Sequence, residues 1–255
     1  MTDTHAHIHD AKFDVDRAAT LARAKAAGVK RIVTVGCDLA DSLRALATAA
    51  EFGLAASIGV HPHEARDAPD DLPAALDCLL AESPIRPVAV GETGLDYYYD
   101  HSPRAIQRSV MVAQIRYARE RALPVIFHQR DAVGDFVAIL RDEFAPPMRG
   151  VVHCFTGDED QARTFVDEFG LLLGIGGVMT FKNAQGLREA VKAVGLGGIV
   201  LETDCPYLAP EPHRGKRNEP AFVAATAGRL ADLFETELDE IIARTDANAT
   251  ALFGP

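Results

Sequence analysis

The stretch Thr4-His5-Ala6-His7-Ile8-His9 sets three imidazoles at every second residue near the start of the chain. In an extended strand alternate side chains share a face, so His5 and His7 point the same way and form a two-nitrogen claw for a metal ion. Alone, a His-x-His pair is a modest signal, because a single strand histidine is most often a buried residue with a hydrogen-bonded partner. Its weight depends on whether later segments deliver matching ligands.

The elements that would deliver them alternate. After the opening strand, Asp14 or Asp16 can cap an Ala-rich helix that stops at Gly28, and residues 31–35 read as a short β-branched strand. Leu39, Leu43, Leu46 and Ala50 recur at helical spacing before Gly53, and residues 54–60 return to an apolar strand. The pattern predicts further strands over 87–91, 124–128, 150–153, 171–175 and 198–201, with helices over 69–81, 133–144, 159–169 and 187–194. Ser102-Pro103 should cap and start a long helix reaching Ala122. Helices over 220–234 and 238–253 follow, the latter with Thr236 and Asp239 as a start of the capping-box type. Short apolar runs without polar alternation mark strands buried on both faces, as in a parallel sheet covered by helices. Eight such units predict an α/β fold of the (β/α)8 TIM-barrel class, one domain over 1–255 with extra C-terminal helices. An open doubly wound sheet is second, since no Gly-x-Gly-x-x-Gly follows the first strand.

Barrel enzymes keep their chemistry at the C-terminal ends of the strands. Those ends carry His5 and His7, then His61 and His63, then Glu92, His128, His153 and Asp204. Seven of the nine histidines fall at or just past a strand end, the exceptions being His101 and His213, and random placement would scatter them. Even four of these imidazoles with the two carboxylates exceed what one tetrahedral ion takes. They suit two ions about 3.5–4 Å apart with a shared carboxylate, the arrangement of phosphoryl and acyl hydrolysis. Mixed nitrogen and oxygen donors favour Zn, Mn, Fe or Co over an all-oxygen Mg site.

Whole-chain properties narrow the partners. The 48% hydrophobic and 25% charged content suits a globular protein with a large core, and no apolar run approaches a membrane span. The histidine pair begins almost at Met1 without the basic start and hydrophobic stretch of a leader, so a cytoplasmic location is the expectation. Cys37, Cys78, Cys154 and Cys205 are far apart and read as small buried residues. A net charge of −11 repels nucleic acid overall, so a nucleic-acid substrate would need metal ions or a local basic patch. Arg130, Lys182 and Arg214, with Lys216 and Arg217, lie in loops after strands five, seven and eight and could supply that patch. Ordinary solvated charge accounts equally well for Lys216 and Arg217. Tyr97, Tyr98 and Phe181 could stack on a base or pack on one another.

The strings Asp3-Thr-His-Ala-His7, Gly59-Val-His-Pro-His63, Gly91-Glu-Thr-Gly-Leu-Asp-Tyr-Tyr98, His128-Gln-Arg-Asp-Ala132, His153-Cys-Phe-Thr-Gly157 and the run from Glu202-Thr-Asp-Cys-Pro-Tyr to Asn218-Glu-Pro220 resemble the TatD family of metal-dependent deoxyribonucleases. The resemblance runs through nearly the whole chain. It implies one or two divalent cations (Zn, Mn, Mg, Fe or Co). His5, His7 and Asp204 would hold the first, His128 and His153 the second, and Glu92 would bridge them. It also implies that His61 sits near substrate phosphate, while His63 is less regular in the family. Cys205 stands where Ser is more usual, and Thr156 replaces a commoner Ser.

The activity so implied is phosphodiester hydrolysis on DNA, 3′ to 5′; Asp204, a ligand that could also accept the water's proton, is the candidate general base, and His61 or the second metal would assist the leaving oxygen. Arg130, Lys182, Arg214 and His61 would contact a short or end-bound DNA. No membrane and no obligate protein partner is expected. Two other readings compete: an amidohydrolase acting on a cyclic amide, lactone or phosphotriester, and a non-catalytic metal-binding barrel. Many amidohydrolase relatives bridge their metals with a carboxylated lysine, and Glu92 on the fourth strand favours the nuclease reading.

Overall fold

Eight strands alternate with helices in the computed structural model, which describes residues 1–254. β1 (Thr2–Ala6), β2 (Arg31–Val35), β3 (Ala55–Ile58), β4 (Ala89–Asp96), β5 (Val125–Arg130), β6 (Gly150–Val152), β7 (Leu172–Ile175) and β8 (Ile199–Leu201) follow one another in sheet order as in sequence. The ladders are parallel, as connections through helices require. This is the (β/α)8 barrel class. Val33, Ile58, Val90, Ile126, Val151, Leu173 and Val200 are buried, the signature of strands covered on both faces.

The intervening helices are α1 (Arg17–Ala26), α2 (Leu39–Phe52), α3 (Leu72–Glu82), α4 (Arg104–Glu120), α5 (Val133–Glu143), α6 (Glu159–Arg163) and α7 (Gln185–Val194), then α8 (Val223–Phe234) and α9 (Leu238–Phe253). Among the described residues, no helix is long and apolar enough to cross a membrane. α2 ends at Gly53 as its sequence suggests, in the left-handed conformation, and at its start Asp38 accepts from the Asp41 N–H. Other ends depart from the sequence reading. Asp16 sits before α1, but its carboxylate makes no capping bond, being spent on arginines. α9 starts after Glu237, also without a side-chain cap, so the Thr236–Asp239 box does not form. Pro103 precedes α4, while Ser102 Oγ instead donates to the His63 carbonyl at 2.7 Å and accepts from the Arg66 N–H at 3.0 Å.

By internal contacts the chain falls into two compact units: Met1–Thr34 with 153–254, and Val35–Val152. In the first, the β8 loop is zipped to β1. The Asp204 N–H donates to the His5 carbonyl at 2.8 Å, and the His7 N–H to the Cys205 carbonyl at 2.7 Å. In the second, β4 outruns its expected end at Gly91 and pairs with β5 as far as Asp96 opposite Arg130. Gly94 makes that possible. It has φ +146°, and a Cβ there would strike the carbonyl of His128, its partner across the ladder.

Candidate metal centre

In the first unit His5, His7, His153, Glu202 and Asp204 gather at the ends of β1 and β8 and just past β6. The His5 and His153 rings stack at 3.8 Å, and Asp204 Oδ1 lies 3.4 Å from His7 Nε2 and 3.9 Å from His5 Nε2. Asp204 adopts φ +56°, held by its N–H bond to β1. Burial pushes its carboxyl pKa up, but the His7 hydrogen bond and the fields of His153 and His5 outweigh this and hold it below the usual range. Donor atoms of His5, His153 and Glu202 lie within 4.8 Å of one another, close enough to share a cation.

Glu202 was missed by the sequence reading. It is buried, and Oε1 accepts the Cys154 N–H at 2.5 Å and lies 3.7 Å from His153 Nδ1. Gly174 leaves it room, because a Cβ there would collide with the Glu202 carboxylate. Asp3, on β1, takes the Thr203 N–H at 2.9 Å and its hydroxyl at 2.6 Å. Burial raises its pKa to about 8. Cys205 is fully buried and its thiol is pushed up by that burial, which makes it an unreactive packing residue beside Asp204. His9 contacts Thr34 Oγ1 at 2.7 Å, and His213 stacks on Phe222 at 3.8 Å.

In the second unit His61, His63, Glu92, Asp96 and His128 form another cluster. Glu92 Oε1 lies 2.9 Å from His128 Nδ1 and 3.3 Å from His61 Nε2. These three residues also bring donor atoms within 4.8 Å of one another. His61 Nδ1 accepts the His63 N–H at 3.1 Å, which leaves the ring proton on Nε2 when the ring is neutral. Burial lowers the His61 pKa to about 4 against the opposing pull of Glu92. His61 is therefore a neutral donor at pH 7, the role a phosphate contact needs. Asp96, absent from the sequence reading, is buried, and Oδ2 lies 2.8 Å from His63 Nε2 and 3.1 Å from His128 Nε2. Burial would raise the Asp96 pKa. The hydrogen bonds from His128, His63 and the Tyr99 N–H instead hold it far below the usual carboxylate range.

The donor chemistry fits a divalent cation. With His128 Nε2 facing Asp96, Nδ1 of a neutral ring turns its lone pair toward the Glu92 carboxylate at 2.9 Å, the pairing of nitrogen and oxygen donors that a divalent cation takes. A second ring proton satisfies both atoms in the absence of metal, and a cation ligated by both would take that proton's place.

Two buried glutamines seven residues apart on α4 brace these strand ends. Gln114 pairs with both backbone groups of Val60 at 2.8 and 2.9 Å and donates to Thr93 Oγ1 at 2.6 Å. Gln107 does the same for Asp96 at 2.8 and 3.2 Å. Of the basic side chains, Arg130 lies over the Tyr98 ring at 4.0 Å and Arg214 over Phe181 at 3.9 Å. Lys182 is exposed. Arg217 is bound into the fold through Asp16, at 2.7 Å on both oxygens. Tyr97 is not free for stacking on its own: its hydroxyl donates to Asp135 at 2.6 Å and Arg104 covers its ring.

Comparison with known proteins shows the family. The profile described as TatD related DNase matches residues 2–254. The chain belongs to the TatD family. A metal-dependent hydrolase of Bacillus subtilis, YabD, is 43% identical over 99% of this chain and 98% of its own. A protein of Cronobacter sakazakii named as a 3′-5′ ssDNA/RNA exonuclease, TatD, is 38% identical over 99% and 97%. The crystal structure of YjjV, a TatD homologue from Escherichia coli, superposes with a TM-score of 0.93 at 32% identity, covering 100% of this chain and 98% of that one. The TatD family is one of metal-dependent hydrolases, and the buried histidine–carboxylate clusters described above are able to bind metal.

Proposed function

We propose that this protein is a divalent-metal-dependent nuclease that removes nucleotides from DNA ends, 3′ to 5′. The observation that carries the reading is the buried cluster in which Glu92 Oε1 lies 2.9 Å from His128 Nδ1, a nitrogen–oxygen donor set that suits a cation, beside a neutral histidine donor, His61. The exonuclease name on a relative 38% identical supplies the substrate class. His5, His7, His153 and Asp204 are the cation ligands of the first unit, and Glu92 and His128 those of the second.

A bound divalent cation would bring the pKa of water toward neutrality and offset charge on the phosphoryl oxygens. Asp204, kept ionised by its histidines, accepts the proton of the attacking water as general base. His61 Nε2–H donates to the phosphate or leaving oxygen. Arg130, Lys182 and Arg214 contact the backbone of the strand, and the exposed ring of Tyr98 lies beside Arg130.

The test incubates metal-reconstituted protein with 3′- and 5′-labelled single- and double-stranded DNA, a dihydroorotate-type amide and a phosphotriester. Stepwise loss of 3′ nucleotides, abolished by chelator and lowered about 10²–10³-fold or more by Glu92→Ala, is expected. Intact DNA with turnover of the amide or phosphotriester would overturn the reading.

A further inference from the structure

Asp96 is four residues past Glu92 on β4 and fully buried. Its Oδ1 accepts the N–H groups of Tyr98 at 3.0 Å and Tyr99 at 2.9 Å, while Oδ2 faces Nε2 of both His63 and His128. Its backbone is gripped on both sides by Gln107. An ionised carboxylate can only accept, and this one already takes two backbone N–H groups on Oδ1, so each ring nitrogen facing Oδ2 carries its hydrogen. In the metal-bound, neutral state of His128 this is decisive, because an imidazole protonated at Nε2 has its lone pair at Nδ1. Nδ1 is the atom aimed at Glu92.

We propose that Asp96 is a positioning residue that locks His128 in the Nε2–H tautomer, so that Nδ1 is its metal-binding atom, and that ties His63 and the Tyr98–Tyr99 turn to the same carboxylate. The inference rests on the cation reading of His128 given above. Its physical basis is general: a ligating imidazole whose other nitrogen donates to a carboxylate is fixed in orientation and made more basic. One carboxylate also links the metal ligand to the exposed Tyr98 and Tyr99, whose ring neighbours include His63 at 5.4 Å. Whatever moves the tyrosine turn therefore moves the hydrogen bond behind His128.

Zinc serves as the probe, with stoichiometry from elemental analysis and affinity from competition with a chromophoric chelator. Asp96→Asn retains an acceptor for the two tyrosine N–H groups but weakens the pull on His128. It should raise the Kd of the zinc ion that His128→Ala removes by about 10–100-fold and leave any other bound zinc unchanged. Histidine 15N NMR of the wild-type protein gives a readout that needs no variant: in the zinc-loaded form His128 should show a protonated Nε2 and a coordinated Nδ1. Zinc on Nε2, or Asp96→Asn with wild-type affinity, overturns this inference alone. A wild-type chain that binds no zinc, manganese or cobalt overturns the cation reading with it.

Discussion

His61 illustrates how hydrogen bonds, more than proximity, assign roles. It lies within 4.8 Å of Glu92 and His128 donor atoms and so counts geometrically as a ligand. Its Nδ1 is occupied by the His63 N–H, and the remaining nitrogen is a donor in the neutral ring. His61→Ala is expected to lower kcat about 10²–10³-fold while bound metal per chain stays as in the wild type. A ligand role would instead cost an ion, and elemental analysis separates the two. The ligand candidates His5, His7, Glu92, His128, His153 and Asp204 were legible because strand ends and motif strings both mark them. Asp96 and Glu202 were not, although parity held a clue: Asp96 follows Glu92 by four residues and Glu202 precedes Asp204 by two, spacings that share a face of an extended chain. What sequence lacks is the partner across the fold, such as the Cys154 N–H that anchors Glu202.

Elements were read more accurately in type than in extent. β4 runs past its expected end because Gly91 and Gly94 permit a close approach to β5 that a reading of apolar runs stops short of. A paired substitution isolates that effect. Gly94→Ala forces a side chain into the His128 carbonyl at a strained φ, and should cost at least about 1–3 kcal/mol and weaken cation binding by His128. Gly134→Ala, in α5 with nothing near its added methyl, should instead stabilise by up to about 1 kcal/mol. Denaturant midpoints of the two variants check both signs. The loop after β8 is held by a different device, as Arg217 and Arg23 converge on Asp16, and Arg23 also binds Glu219. Arg217 is the main cause that holds the Asp16 carboxyl well below its ordinary 3.8. A depressed carboxyl contributes stability above its unfolded value and loses it as pH falls through the folded one. Arg217→Ala should therefore lower Tm at pH 7, and the gap from wild type should narrow as pH drops below 3.8. A gap independent of pH would mean that Arg217 acts by packing on Phe13 alone.

For the molecule as a whole, the acidic balance is the constraint that a DNA substrate must satisfy. With a net charge of −11 the long-range field opposes a polyanion, so affinity has to come from bound cations and a few local side chains. The basic residues proposed for that task are few: Arg130, Lys182 and Arg214 are exposed, and Arg217 is consumed by Asp16. Counterion release gives this a number. Each single-strand phosphate neutralised lowers log Kobs by about 0.7 per decade of salt, so three contacts predict a slope near about −2. This is shallow beside the slopes of proteins that coat DNA. Arg214→Ala should reduce the slope by about 0.7 and raise KM on DNA more than on a small phosphodiester. Binding measured by anisotropy on a labelled single strand, in calcium to hold turnover down, reads the slope directly. A slope unchanged by Arg214→Ala, with equal KM effects on both substrates, would assign DNA retention to the metal centre and remove Arg214 from it.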